Sequence, residues 1–294
     1  MAVTETEPIV PFRWNLARRE QLGRLGLVEP AETYRGFLED LRTAAAKVLA
    51  RSGDSDLVFL GRSPETLFDY LSGILADVAR PPSLTLLQWS SPAWNAEALA
   101  RRKAVELEAM LGYLEAERLD PRSIASYGKP VRFIDVVSSG HTFATLLDLL
   151  AHWSHVQGAD FNVVLHRIGF VGLIPQGHNS PNTWRWWQRS PWTERRQRPV
   201  VKNVSVPGRL WSFIANCDLK VTPSHRIERW SDPAARAPTH LEPHLAGLAL
   251  ALQLFDVGRT RQEREQLARR LSRAPEMREA FLRGLVLRLR GRGG

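Results

Sequence analysis

The chain of 294 residues contains one cysteine, three methionines and four tyrosines. A single thiol, Cys217, excludes an internal disulfide and any cysteine-rich zinc site, and it reads as a small buried hydrophobe. Long apolar runs are missing. No window approaches the ~18 uninterrupted apolar residues of a membrane helix, and the richest segment, Leu245 to Phe255, reads as a buried helix. The first eight residues hold Glu5 and Glu7 and no basic residue, unlike a secretory signal. Walker loops, the Gly-x-Gly-x-x-Gly fingerprint and internal repeats are also absent. These absences lead to the expectation of a cytoplasmic protein without a membrane partner, and the Arg/Ala/Leu bias suits a bacterium with GC-rich DNA. What is present is ordinary globular composition, 44% hydrophobic and 24% charged, enough to bury a core and unlike a disordered chain.

The net charge of +9 is concentrated near the end of the chain. Between Arg259 and Arg292 there are 11 arginines and 4 glutamates, a net of +7, which leaves about +2 for everything before. Such a stretch is either a nucleic-acid surface or a set of packed helices with basic outer faces. Helix-spaced apolar residues (Leu267, Leu271, Phe281, Leu282, Leu285, Leu289) favour packed helices, so nucleic acid is not the expected partner.

Along the chain, apolar periodicity predicts a helix over 31–51. Then come a doubly buried strand over 56–60, a turn at Gly61–Glu65 with Ser63 as N-cap, and a helix over 66–78. Further strands are expected at 84–88, 131–137, 161–165, 170–174 and 200–206, with helices over 94–118 and 143–155. The βα alternation implies a doubly wound, mostly parallel sheet, whose ligands bind outside the carboxyl ends of the strands. The expected organisation is an extension (1–30), an α/β domain (31–230) with a tryptophan-rich insertion at about 176–199, and a C-terminal helical region (231–294). Pro233, Pro238 and Pro243 mark the last boundary.

Residues Val131 to Thr142 carry the chemistry: a buried strand ending in Asp135, then Ser138, Ser139, Gly140, His141 and Thr142 opening a helix. Glycine lets backbone approach a ligand closely, and successive amides at a helix start favour a phosphate. This stretch resembles the signature of the type I phosphoribosyltransferases. Asp135 matches the second of the family's two acids, and Ser139-Gly140-His141-Thr142 matches its phosphate loop. Ile134 stands where the first acid usually sits, which marks a divergent member. Leu60-Gly61-Arg62-Ser63 lies where the family places its pyrophosphate loop. The likeness covers about residues 31–175.

The resemblance implies transfer of 5-phosphoribosyl from phosphoribosyl pyrophosphate to an unidentified acceptor, a base or an aminocyclitol sugar, with release of pyrophosphate. Ser138, Ser139, Gly140, His141 and Thr142 would bind the 5-phosphate. Gly61, Arg62 and Ser63 would bind pyrophosphate with Mg²⁺. Asp135 and Arg62 would be catalytic, and Asp135 would meet the metal indirectly through ribose hydroxyls or water. Trp184 and Trp187 are the candidate acceptor platform; the competing reading of the cluster Trp184–Trp192 is packing. The alternative function is a non-catalytic sugar-phosphate-binding regulator of the same fold, and Ile134 favours it. A phosphohydrolase of the same general sheet type is a third reading, but Gly61-x-Ser63-x-Glu65 lacks the second glycine of a nucleophile elbow, which counts against it. The pairs His152/His155 and His240/His244 lack a third zinc ligand. Asn216, Asp218, Lys220 and Ser224 belong either to an acceptor pocket or to a polar loop, and the loop is the expected reading. Acceptor and oligomeric state, homodimer included, stay open.

Overall fold

The computed structural model describes residues 7–27, 32–178, 185–194 and 198–291. Five strands form one sheet: β1 (Asp56–Leu60), β2 (Leu84–Leu87), β3 (Val131–Val136), β4 (Ile168–Pro175) and β5 (Val200–Val206). Their order is β2-β1-β3-β4-β5, and every neighbouring pair is parallel. The strands read as continuous apolar runs because both faces are covered by helices. The helices are α1 (Phe37–Ser52), α2 (Glu65–Leu75), α3 (Ala96–Arg102), α4 (Ala104–Ala116), α5 (Pro121–Ser126), α6 (His141–Gln157), α7 (Phe161–Arg167), α8 (Gly208–Asn216), α9 (Ile227–Trp230), α10 (Glu242–Arg259), α11 (Arg261–Leu271) and α12 (Ala280–Leu289).

Alternation along each strand sorts the core into two layers. Ile134, Val136, Val171 and Leu173 point to the face covered by α1, α2, α8 and the C-terminal helices. Val131, Phe133, Val137 and Phe170 point to the face covered by α3 to α7. The C-terminal helices are part of the first layer: Leu250, Leu254, Leu267, Leu271, Leu282 and Leu285 share one core with α1 and α2. A buried ion pair ties them in. Arg42 of α1 donates through Nε (2.7 Å) and Nη2 (2.9 Å) to Glu263 of α11, which also accepts from the Tyr70 hydroxyl of α2. Of the arginines in this stretch, Arg259 and Arg264 reach Asp77 just after α2, Arg270 reaches Glu39 of α1, and Arg261 pairs with Glu265 one turn on.

Three local expectations are corrected. Residues 161–165 are helical, in α7, because Gly158 ends α6 in the left-handed conformation (φ 64°) and Asp160 caps a new helix by accepting from the Asn162 amide at 2.8 Å. The helix over 94–118 is two helices, α3 and α4, separated at Lys103 (φ −141°). Finally, Ser63 does not cap α2. Pro64 stands at that position, and no side chain caps the helix.

Candidate functional site

The strand order fixes where the sheet opens. The chain leaving β1 turns to the α2 face, and the chain leaving β3 turns to the α6 face. Because β1 and β3 are neighbours, with Phe59 opposite Ile134, their departing loops leave the carboxyl edge toward opposite faces of the sheet. That is the topological switch point of a doubly wound sheet, where ligands of such sheets bind. Both small-residue turns singled out from sequence, Gly61–Ser63 and Ser138–Thr142, border it.

The β1 loop is built on charge. Gly61 adopts φ +68°, its amide donates to the Leu87 carbonyl at 2.8 Å, and a Cβ there would lie 2.3 Å from the Trp89 carbonyl oxygen. Only glycine serves both demands. Arg62 is half-buried, and its Nε has no hydrogen-bond partner among the described residues. The Ser63 carbonyl accepts from Lys220 Nζ at 3.2 Å, and the same ammonium reaches the Ile214 carbonyl at 3.0 Å. Burial pushes the Lys220 ammonium below its ordinary range, partly offset by Glu65. Beneath the loop, Glu65 and Asp69 share Arg13, which lies 3.3 Å from Glu65 and closer to Asp69. Glu65 also accepts from the Thr222 amide at 3.2 Å. Burial pushes the Asp69 carboxyl up to about 7 against the pull of Arg13.

The β3 loop is built on aromatic packing and amides. The last sheet bond runs from the Val137 amide to the Leu173 carbonyl at 2.9 Å. Ser138, Ser139 and His141 are then exposed, while Gly140 is buried at φ +82°. A Cβ on Gly140 would lie 2.2 Å from Trp186 Cε3. Trp186 stacks on Phe143 (centroids 5.1 Å apart), and its Nε1 donates to Asn203 Oδ1 at 3.0 Å. The indole therefore supports one side of the loop while the serines face solvent on the other. Among the described residues the amides of Ser138, Ser139, Gly140 and Thr142 find no acceptor, and the His141 amide makes only a 3.4 Å contact with Ser139 Oγ. Unpaired amides at a helix start are donors held ready for an anion.

Asp135 is the last but one residue of β3, just before this loop. Its Oδ1 accepts from the Val136 amide at 2.7 Å, and the Thr142 side chain at the start of α6 is its other polar neighbour. Burial pushes it up to about 7, and these two partners pull it back. Ile134 points the other way and is fully buried in the α1/α2 core. Beside the loop, His141 Nε2 lies 3.1 Å from the Pro92 carbonyl oxygen.

The tryptophan segment is mainly packing. Trp186 and Trp192 are 3% and 4% exposed and belong to the α6-side core. Trp187 is half-buried and meets Trp186 edge-on at 5.7 Å. Trp184, the other acceptor candidate, lies outside the described residues. Sequence reasoning missed the Arg13–Glu65–Asp69–Lys220 support. Glu65 read as an ordinary first-turn acid, Lys220 as part of a loop, and no local pattern links Arg13 to residues more than fifty positions away. No family model, curated protein or solved structure matches the chain.

Proposed function

We propose that the protein transfers 5-phosphoribosyl from phosphoribosyl pyrophosphate, the reading that the resemblance of residues 131–142 first suggested. The observation that carries it is the placement of two glycine-turned loops on adjacent parallel strands at the switch point, one rich in free amides and one beside an arginine. A sugar bearing a phosphate at one end and a pyrophosphate at the other offers one anion to each loop. The 5-phosphate docks on the amides and hydroxyls of Ser138, Ser139, Gly140, His141 and Thr142. The pyrophosphate meets Arg62 and the backbone of Gly61–Ser63, and Arg62 stabilises charge as it builds on the leaving group.

Asp135 holds a ribose hydroxyl and, once ionised, faces the positive charge that develops at the anomeric carbon. The donor set suits Mg²⁺: this ion keeps several waters and takes substrate phosphate oxygens, so it needs few protein ligands. Asp135 would hold it through water or ribose hydroxyls, and the ion would neutralise pyrophosphate charge. Positioning and charge stabilisation supply the catalysis, since the protein has little covalent work to do. Trp187 is the remaining described candidate for an acceptor contact.

A second reading has its own observation. Ile134 is committed to the core, and the hydrogen bond of Asp135 goes to its own strand, so the ribose clamp holds one acid where the family has two. The fold would then bind the sugar phosphate without turnover, as a regulator. Calorimetric titration with phosphoribosyl pyrophosphate and Mg²⁺, followed by assay of pyrophosphate release with candidate acceptors, separates the two. Binding with release supports the transferase, binding without release supports the regulator, and no binding contradicts both. Asp135→Asn should fold normally and abolish release.

A further inference from the structure

The C-terminal stretch spends its apolar residues on the core and leaves its outer face charged. On α12, Leu282, Leu285, Val286 and Leu289 are buried, while Arg283, Leu287 and Arg290 follow one another at helical spacing along the outer stripe. Arg290 Nη2 donates to Ser272 Oγ at 3.0 Å, which sets the end of α12 against the end of α11, beside Arg269 and Arg273. Arg283 Nη1 donates to the carbonyls of Met277 and Arg278, so Arg278 flanks the start of the same stripe. Arg269, Arg273, Arg278 and Arg283 are exposed, and Arg290 is half-buried. Among the described residues none of these five meets a carboxylate, whereas Arg259, Arg261, Arg264 and Arg270 each do. The turn between the two helices adds Glu276 and Glu279; five arginines against two glutamates leave a net of +3.

We propose that this face binds the phosphate backbone of duplex nucleic acid without regard to base sequence. All five cations are guanidinium groups, whose planar fork takes two phosphate oxygens at once. A duplex carries a negative charge about every 1.7 Å along its axis, so the roughly 10 Å between Arg283 and Arg290 faces repeated anions. Leu287 is the one large apolar side chain exposed on α12, too little to enter a bilayer, which separates this face from a membrane-binding helix. The stripe carries no aromatic ring for base stacking, so contact is with the backbone alone. The inference is independent of the transferase reading, because no residue of the Gly61–Ser63 or Ser138–Thr142 turns belongs to the patch.

The test is fluorescence anisotropy of a short labelled DNA duplex, and of the RNA duplex of the same sequence, titrated with the full chain between about 50 and 200 mM salt. At least one duplex should bind saturably, and one of unrelated sequence equally well; the tighter of DNA and RNA identifies the source of the backbone. The logarithm of affinity should fall against that of salt with a slope of about −4. Arg269→Gln combined with Arg273→Gln should flatten the slope by about 2 and weaken binding about tenfold or more at the lowest salt, with the melting temperature unchanged. Arg278→Gln alone should flatten it by about 1. Arg101→Gln combined with Arg122→Gln removes the same charge from exposed positions on α3 and α5, across the sheet, and should leave the slope as it is. Failure of both duplexes to bind at the lowest salt, a slope that the first pair does not move, or an equal loss from the control pair would overturn the proposal. So would tighter binding to phosphatidylserine vesicles or to polyglutamate than to either duplex.

Discussion

Two loops leave adjacent strands at one edge of the sheet, yet they are held in opposite ways. The turn after β1 rests on buried ions, Arg13, Glu65, Asp69 and Lys220, and carries the half-buried Arg62, whose Nε has no hydrogen-bond partner among the described residues. The turn after β3 rests on the Trp186 indole and one carboxyl, Asp135, and presents amides and hydroxyls. The difference is instructive. On the proposed reading, the first loop would meet a metal-screened pyrophosphate with a cation whose supporting charges are fixed below it. The second would accept a dianion with neutral donors, its one acid buried and hard to ionise.

The largest test of the contrast is to remove the countercharge. Arg13→Met leaves Glu65 and Asp69 buried without their guanidinium and should cost about 3–5 kcal/mol at pH 7. Trp186→Phe, on the other side, loses area and the bond to Asn203 and should cost about 1–3 kcal/mol. Urea unfolding of both proteins measures this; the reverse ranking would break the comparison.

The next effect depends on pH. Asp135 is raised to about 7 in the fold, above its unfolded value, so the folded chain binds the extra proton between about 4 and 7. Its contribution to stability is present at the acid end and is lost as pH rises through that window. Asp135→Asn removes the loss, so relative to wild type it should gain about 2–4 kcal/mol between pH 4 and pH 8. Asp69 adds a slope of the same sign that persists in the variant. Unfolding curves at several pH values check it, and parallel profiles for the two proteins would refute the burial of Asp135.

Smaller effects sharpen the contrast at the glycines. Gly61→Ala sets a methyl against a backbone carbonyl that cannot move aside and should cost about 2–3 kcal/mol. Gly140→Ala sets a methyl against the Trp186 ring, which Phe143 and Asn203 hold in place, and should cost about 1–3 kcal/mol. Ser139→Ala, on the exposed surface, should change stability by less than about 0.5 kcal/mol. Melting temperatures of the three variants test the ranking, and a larger loss for Ser139→Ala than for Gly140→Ala would mean that the loop is held differently.

The sheet was legible because its strands are short, apolar on both faces and alternate with helices. Residues 131–142 announced a strand, a turn and a helix without ambiguity. Residues 161–165 misled because a short apolar run suits a strand or a half-buried helix equally, and the cap at Asp160 decided it. The C-terminal helices were visible as helices, but their union with the α1/α2 core was not, since the Arg42–Glu263 pair spans more than two hundred residues. The support under Gly61–Ser63 was hidden for the same reason. Trp186 could be seen as unusual, but only the fold shows it lying against Gly140.

The most direct measurement is a titration of ¹⁵N-labelled protein with phosphoribosyl pyrophosphate and Mg²⁺, following backbone amide shifts. The account predicts that the amides of Ser138, Ser139, Gly140 and Thr142 move together and saturate, with Gly61 to Ser63 following. Shifts confined to other surfaces, or none at saturating ligand, would contradict it.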